Sequence, residues 1–188
     1  MLEARKSVLL KLLKDPDSRV REAAAQSIDK IEAKSELEPL IEALKKGDKL
    51  ARLRAVYGLD IIDSDANIDA LIQATSDKEP DVRAAAVKIL GKKSNPKALT
   101  ALVARLKDED RAVKIVVIEA LGNFSDTKIV DLLIKILDVK DIELLVASIN
   151  SLGKIGVQKV ENVLLALSAH SHPGIRAAVA VALGNIKD

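Results

Sequence analysis

Five basic side chains recur at one interval along the chain: Arg21, Arg52, Arg83, Lys114 and Arg176. A second series stands four residues ahead of the same register: Asp17, Asp48, Glu79, Asp110 and Asp141. A row of guanidinium groups could form an anion-binding ridge. The same row can form an internal ladder, each Arg bonded to a turn acid or carbonyl of its own or the next repeat. The planar fork of arginine suits that second use, and the ladder is the expected one. An Asp at a helix start also complements the helix dipole. His170 and His172 are the only histidines. Two neutral imidazoles this close could share a metal, but no third ligand is suggested nearby, so a solvated turn is expected.

The remaining chemistry is excluded by composition. There is no cysteine, hence no thiol nucleophile, disulfide or thiolate metal site. Tyr57 and Phe124 are the only aromatics, which leaves little with which to stack a nucleobase, flavin or haem. No acid, base and nucleophile converge by spacing. No catalytic residue, metal site or cofactor is therefore expected, and the chain is not expected to be an enzyme.

The 30 basic residues nearly balance the 28 acidic ones, and neither half carries a sign bias. Lys45, Lys46, Lys49, Arg52 and Arg54 form a local cluster, as do Lys88, Lys92, Lys93 and Lys97. Both are interleaved with acids and lack stacking partners, so nucleic acid is not the expected partner. No apolar run approaches the roughly 20 residues of a membrane span. The first residues, with Glu3 and charges through the apolar stretch, read as an amphipathic helix and not a signal peptide. A cytoplasmic protein is expected.

These side chains must be positioned by a repeated element. Leu9, Leu40, Leu71, Leu102, Leu133 and Leu164 are spaced by 31 residues. So are Ile28, Leu59, Leu90, Leu121, Leu152 and Leu183, and so are Val20, Ala51, Val82, Val113, Leu144 and Ile175. Such a period marks a stacked array of small units that share one core. Six periods nearly fill the 188 residues, which predicts a single array without an added catalytic domain. The expected boundaries are about 1–31, 32–62, 63–93, 94–124, 125–155 and 156–188.

Within a unit, Leu40, Ile41 and Leu44 form one helical stripe, as do Leu102, Val103 and Leu106. A second stripe runs through residues 20–28, 82–90 and 175–183, where alanine permits close helix approach. About twelve helices are predicted. Ser35 to Glu38 fits a capping box, and Asn95-Pro96 an N-cap followed by Pro. Pro80 and Pro173 should open second helices. Gly91, Gly122, Gly153 and Gly184 sit where a left-handed cap is expected. The last helix, from Ala177 to Ala182, is the most apolar segment. It implies either a covering surface, with self-association as one form of it, or a longer array.

The stretches Val82-Arg83 to Leu90-Gly91, Val113-Lys114 to Leu121-Gly122 and Ile175-Arg176 to Leu183-Gly184 resemble the HEAT-like repeat, in its short phycobilisome-lyase-type form. The acidic turn Lys107-Asp108-Glu109-Asp110 matches too. Leu145 and Ser148 depart, standing where the family has Arg and Ala. The resemblance implies an all-α fold, a right-handed α-α superhelix of six helical hairpins. Enzymes with this fold are matched poorly. Deoxyhypusine hydroxylases carry His-Glu pairs that are missing here. HEAT-fold DNA glycosylases work through aromatic residues, and nothing marks the bilin pocket of a phycobilin lyase.

In HEAT-like arrays the second helix of each hairpin lines the inner face. Its solvent-facing offsets select Leu53, Arg54, Tyr57 and Ile61 in the second repeat and Lys88 in the third. They select Ile115, Val116 and Glu119 in the fourth, and Val146 and Asn150 in the fifth. An apolar surface at nominally exposed positions marks a binding site, and a lone tyrosine suits an interface anchor. The expected function is a protein–protein interaction scaffold that takes a partner peptide or domain on this concave face. The alternatives are an accessory subunit of a lyase-type enzyme and a self-assembling structural module.

Overall fold

A computed structural model describes residues 2–62, 65–124 and 126–186. All the regular structure among them is helical, as eleven α-helices and two short 3₁₀ turns. The chain forms two compact units, residues 1–67 and 68–188.

In the N-terminal unit, α1 (Leu2–Leu12) packs on α2 (Ser18–Lys46), which packs on α3 (Lys49–Ile61). The second unit contains most of α4 (Asp65–Ala74), then α5 (Pro80–Lys93) and α6 (Leu99–Arg105). These are followed by α7 (Arg111–Leu121), α8 (Thr127–Ile136), α9 (Ile142–Ile155), α10 (Glu161–Leu167) and α11 (Pro173–Gly184). Hairpins form between α6 and α7, α8 and α9, and α10 and α11. The longer helices α5, α7, α9 and α11 pack side by side in that order.

The leucine period is the core. Leu71, Leu102, Leu133 and Leu164 are fully buried, and so are Leu59, Leu90, Leu121 and Leu152. Val82, Val113 and Ile175 are fully buried as well. At the same positions Leu9, Ile28, Leu40 and Leu183 are only half-buried.

Helix starts follow the acidic series. Asp17 accepts the Arg19 N–H, Asp48 the Ala51 N–H and Asp110 the Val113 N–H. Asp141 accepts from both Glu143 and Leu144. Each carboxylate supplies a partner to backbone donors that a helix start leaves free. Pro80 and Pro173 occupy the first turns of α5 and α11, and Asn95 caps the 3₁₀ turn Pro96–Ala98 through the Lys97 N–H.

Two local expectations are corrected. The capping box at Ser35 does not start a helix, since α2 runs unbroken for 29 residues through Pro39. Asp29 stands where later repeats carry Gly, and residues 30–38 hold no Gly or Pro to interrupt the helix. Pro39 then costs α2 one internal hydrogen bond without ending it. The left-handed caps at Gly91, Gly122, Gly153 and Gly184 are also absent. Among the described residues, positive φ occurs only at Ser94 and Gly156. The four glycines lie within or at the ends of right-handed helices, and three of them serve a packing purpose. A Cβ on Gly91 would stand 2.5 Å from the Ala120 Cβ. On Gly122 it would stand 2.9 Å from the Ser151 Cβ, and on Gly153 2.6 Å from the Ala182 Cβ. Neighbouring helices cross where neither side has bulk.

Candidate functional site

The four arginines of the basic series bond within the chain, two of them buried (Arg52 and Arg83) and two exposed (Arg21 and Arg176). Arg83 is 4 % exposed. Its Nη1 donates to the carbonyls of Asp77 and Lys78 at 2.9 and 3.1 Å, closing its own inter-helix turn. Its Nε and Nη2 donate to both carboxylate oxygens of Asp108, from the following turn. Arg52, also buried, donates to the Gly47 carbonyl. Arg21 donates to Asp15 and Pro16, and Arg176 to His170 and Ser171, in the same way. The guanidinium groups are consumed by loop carbonyls, as a ladder requires.

The charge of Asp108 follows from this. Burial pushes its carboxyl up, but the Arg83 hydrogen bonds, the Asp110 N–H and the nearby Arg105 outweigh that and hold it below the usual carboxylate value. Asp108 was legible only as part of an acidic turn. Its role as partner to Arg83, 25 residues away, has no short-range signal.

His172 caps α11, its Nδ1 accepting the Gly174 N–H at 3.2 Å. The Nδ1 of His170 accepts the His172 N–H at 3.0 Å. Both nitrogens are engaged with the backbone of the turn. Among the described residues, no group of three or more His, Asp or Glu side chains is placed to hold a metal ion. Among them, too, no helix is long and apolar enough to cross a membrane.

The inner-face positions differ in burial by offset. On α3, in the N-terminal unit, Leu53 is half-buried and Arg54 exposed. Tyr57 and Ile61 are exposed, at 56 % and 88 %. Phe124, the other aromatic, is buried. In the second unit Lys88, Glu119 and Asn150 are exposed and lie on the adjacent helices α5, α7 and α9. Ile115, Val116 and Val146 are half-buried beside them. Ala85, Ala147 and Ala178, which share the offset of Val116, are buried. Small side chains there let the helices close over the position, whereas the branched Val116 stays accessible. At the C-terminal ends of these helices, Lys92, Asn123, Phe124 and Lys154 line an open hollow of about 540 Å³, across which Lys154 Nζ donates to Asn123 Oδ1.

Three sets of observations meet here: a 31-residue leucine core, four arginines that each bond the carbonyls of their own inter-helix turn, and consecutive packing of α5, α7, α9 and α11. The HEAT repeats family model matches residues 3–60, 37–122, 68–144 and 130–188. The chain belongs to the HEAT repeat family.

The HEAT solenoid class is shared by solved structures. One is the complex of CpcE and CpcF of phycocyanin lyase from Nostoc sp. PCC7120, with a TM-score of 0.69 at 25% identity. That match covers 80% of this chain and 65% of the other, so this chain spans less than two thirds of its length. Another is a designed armadillo repeat protein in complex with the peptide (KR)4, at TM-score 0.59 and 17% identity. It covers 95% of this chain and 98% of the other, a likeness of fold. No curated protein sequence matches. For this HEAT protein, then, the family accounts for the core, and the accessible offsets of the second helices are where one repeat differs from another.

Proposed function

We propose that this chain is a non-catalytic protein–protein interaction scaffold. Its partner, a peptide or a domain, binds the concave face formed by the second helices. The observation that carries this reading is accessible apolar surface at positions the core does not need. Tyr57 and Ile61 are exposed, and Ile115, Val116 and Val146 are half-buried next to the polar row Lys88, Glu119 and Asn150. Within the second unit, branched side chains beside a polar row have the composition of an interface centre with its rim, and on the N-terminal unit the exposed Tyr57 suits an anchor. Affinity capture from the native cell, run in parallel with Tyr57→Ala and Ile115→Asp, tests it. Both variants should lose the proteins that the unaltered chain retains. Unchanged capture by both would remove this face from consideration.

A second reading is favoured by the likeness to the phycocyanin lyase complex: an accessory subunit of a lyase-type enzyme. A thermal-shift scan against metals and metabolites separates the two. A specific, saturable shift supports the lyase-type reading, and a flat response across the panel supports the scaffold.

A further inference from the structure

We propose that a second copy of this chain docks head to tail, its α1–α2 hairpin stacking on the α10–α11 hairpin as the next element of the array.

The C-terminal helix is built for a neighbour. Gly91, Gly122 and Gly153 each admit the backbone of the next long helix 29 residues on (91 to 120, 122 to 151, 153 to 182). Gly184 is the fourth in the series, and a Cβ there would meet nothing within 4 Å. Ala180 is exposed, while its register mates Val87, Ile118 and Ile149 are at most 1 % exposed. Val181 is 64 % exposed and Leu165 of α10 50 % exposed. The face of α10 and α11 turned away from α9 is thus apolar and carries a helix-crossing notch.

The occupant follows from the register. Continued into a second copy, the 31-residue step sets Ser27 opposite Gly184 and Lys30 opposite Asn185. The same pairs exist within the chain. Ser151 faces Gly122 and donates its Oγ to the Ile118 carbonyl at 2.9 Å, and Lys154 donates to Asn123. Residues 121–123 and 183–185 are both Leu-Gly-Asn. In the docked copy the Ser27 hydroxyl would leave the Ala23 carbonyl it now bonds for the Ala180 carbonyl.

The receiving face is also open. A groove of about 570 Å³ on the N-terminal hairpin is lined by Leu9, Leu12, Val20, Ala23, Ala24 and Ser27, and also by the charged pair Asp17 and Arg19. Ala23 is exposed and Ser27 half-buried, whereas the fifth-repeat residues at these two positions, Ala147 and Ser151, are buried on the helix that packs against α7; Ala24 is already buried. Val8 and Leu10 on α1 are each 56 % exposed.

The test is the mass of the full chain in solution, by sedimentation equilibrium over a concentration series reaching the millimolar range. A heterologous contact leaves a free end after every addition, so the mass should rise past two chains. Gly184→Arg blocks the donor face and Ser27→Arg the acceptor face. Each alone should stay monomeric, and their equimolar mixture should stop at a pair. Lys30→Glu, at an exposed position, guards against a folding defect in Ser27→Arg. It should weaken association by roughly tenfold, the scale of one charge-assisted hydrogen bond, with unchanged helicity by circular dichroism. Unaltered protein that remains a monomer throughout overturns the proposal. So does a limit at two chains, which means a symmetric, self-limiting contact, or undiminished association in both Ser27→Arg and Lys30→Glu, which means a contact that does not use the α1–α2 hairpin.

Discussion

Arg83 and Asp108 form a two-pronged ion pair, Nε to Oδ2 at 2.9 Å and Nη2 to Oδ1 at 2.7 Å, with side chains 5 % and 1 % exposed. The pair ties the turn before α5 to the turn before α7, so one guanidinium joins two successive hairpins. Removing one partner of a buried pair strands the other. Asp108→Ala should cost on the order of 3–5 kcal/mol in chemical denaturation. Replacing both, as Arg83→Met with Asp108→Leu, should recover much of that, because neither charge remains to be buried. Equal losses in the single and double variants would mean that the loop carbonyls alone satisfy Arg83.

Arg111 and Asp141 make the matching link one step on, at 2.5 and 2.8 Å, with Glu143 adding a 2.9 Å contact. The Arg111 hydrogen bonds hold the Asp141 carboxyl at about 2, below the unfolded value of about 3.9. A depressed carboxylate stabilises the fold at pH above its unfolded value, and that contribution fades as pH falls through the folded one. The thermal midpoint of Asp141→Asn should therefore lie below that of the parent at neutral pH. The gap should narrow between about pH 4 and pH 2, the interval between the two values. A gap that stays constant over this interval would assign the effect to capping alone.

How much of this was written in the chain can be judged residue by residue. Leu71, Leu102 and Leu133 recur at one spacing because each fills the same place in successive hairpins, so the core is legible. The Arg ladder is legible for the same reason. Asp108 as the acceptor for Arg83 is not, since the link crosses 25 residues and depends on how two hairpins stack. Gly91 was visible as a special position, but spacing cannot tell a glycine needed for positive φ from one needed for close approach. Offsets could mark positions on the second helices as candidates for exposure. What spacing could not supply was that alanine at Ala85 or Ala147 lets the neighbouring helix close in, while Val116 stays accessible.

Ser148 is the one buried side-chain hydroxyl among the described residues with no hydrogen-bond partner, and it is fully buried in α9. It occupies a position where the family carries Ala. An unsatisfied buried hydroxyl costs about 1–3 kcal/mol, and alanine is also the better helix former. Ser148→Ala should raise stability by about 1 kcal/mol, seen as a higher denaturant midpoint with an unchanged slope. A lower midpoint would show that the hydroxyl has a partner after all.

The glycine series gives a paired comparison in which the same substitution should change sign with position. At Gly91 the added methyl lands 2.5 Å from the Ala120 Cβ and 2.7 Å from its Cα. The second of these is backbone, so α5 and α7 must separate. Overpacking of this kind costs about 1–3 kcal/mol, and the helix-propensity gain of roughly 1 kcal/mol offsets only part of it. At Gly184 nothing lies within 4 Å, leaving only the gain, here at the low end of about 0.5–1 kcal/mol because the residue closes its helix. In dilute solution, Gly91→Ala should lower the denaturation midpoint and Gly184→Ala should leave it equal or higher. If both substitutions prove equally benign, the close crossing of α5 and α7 at Gly91 does not constrain the fold.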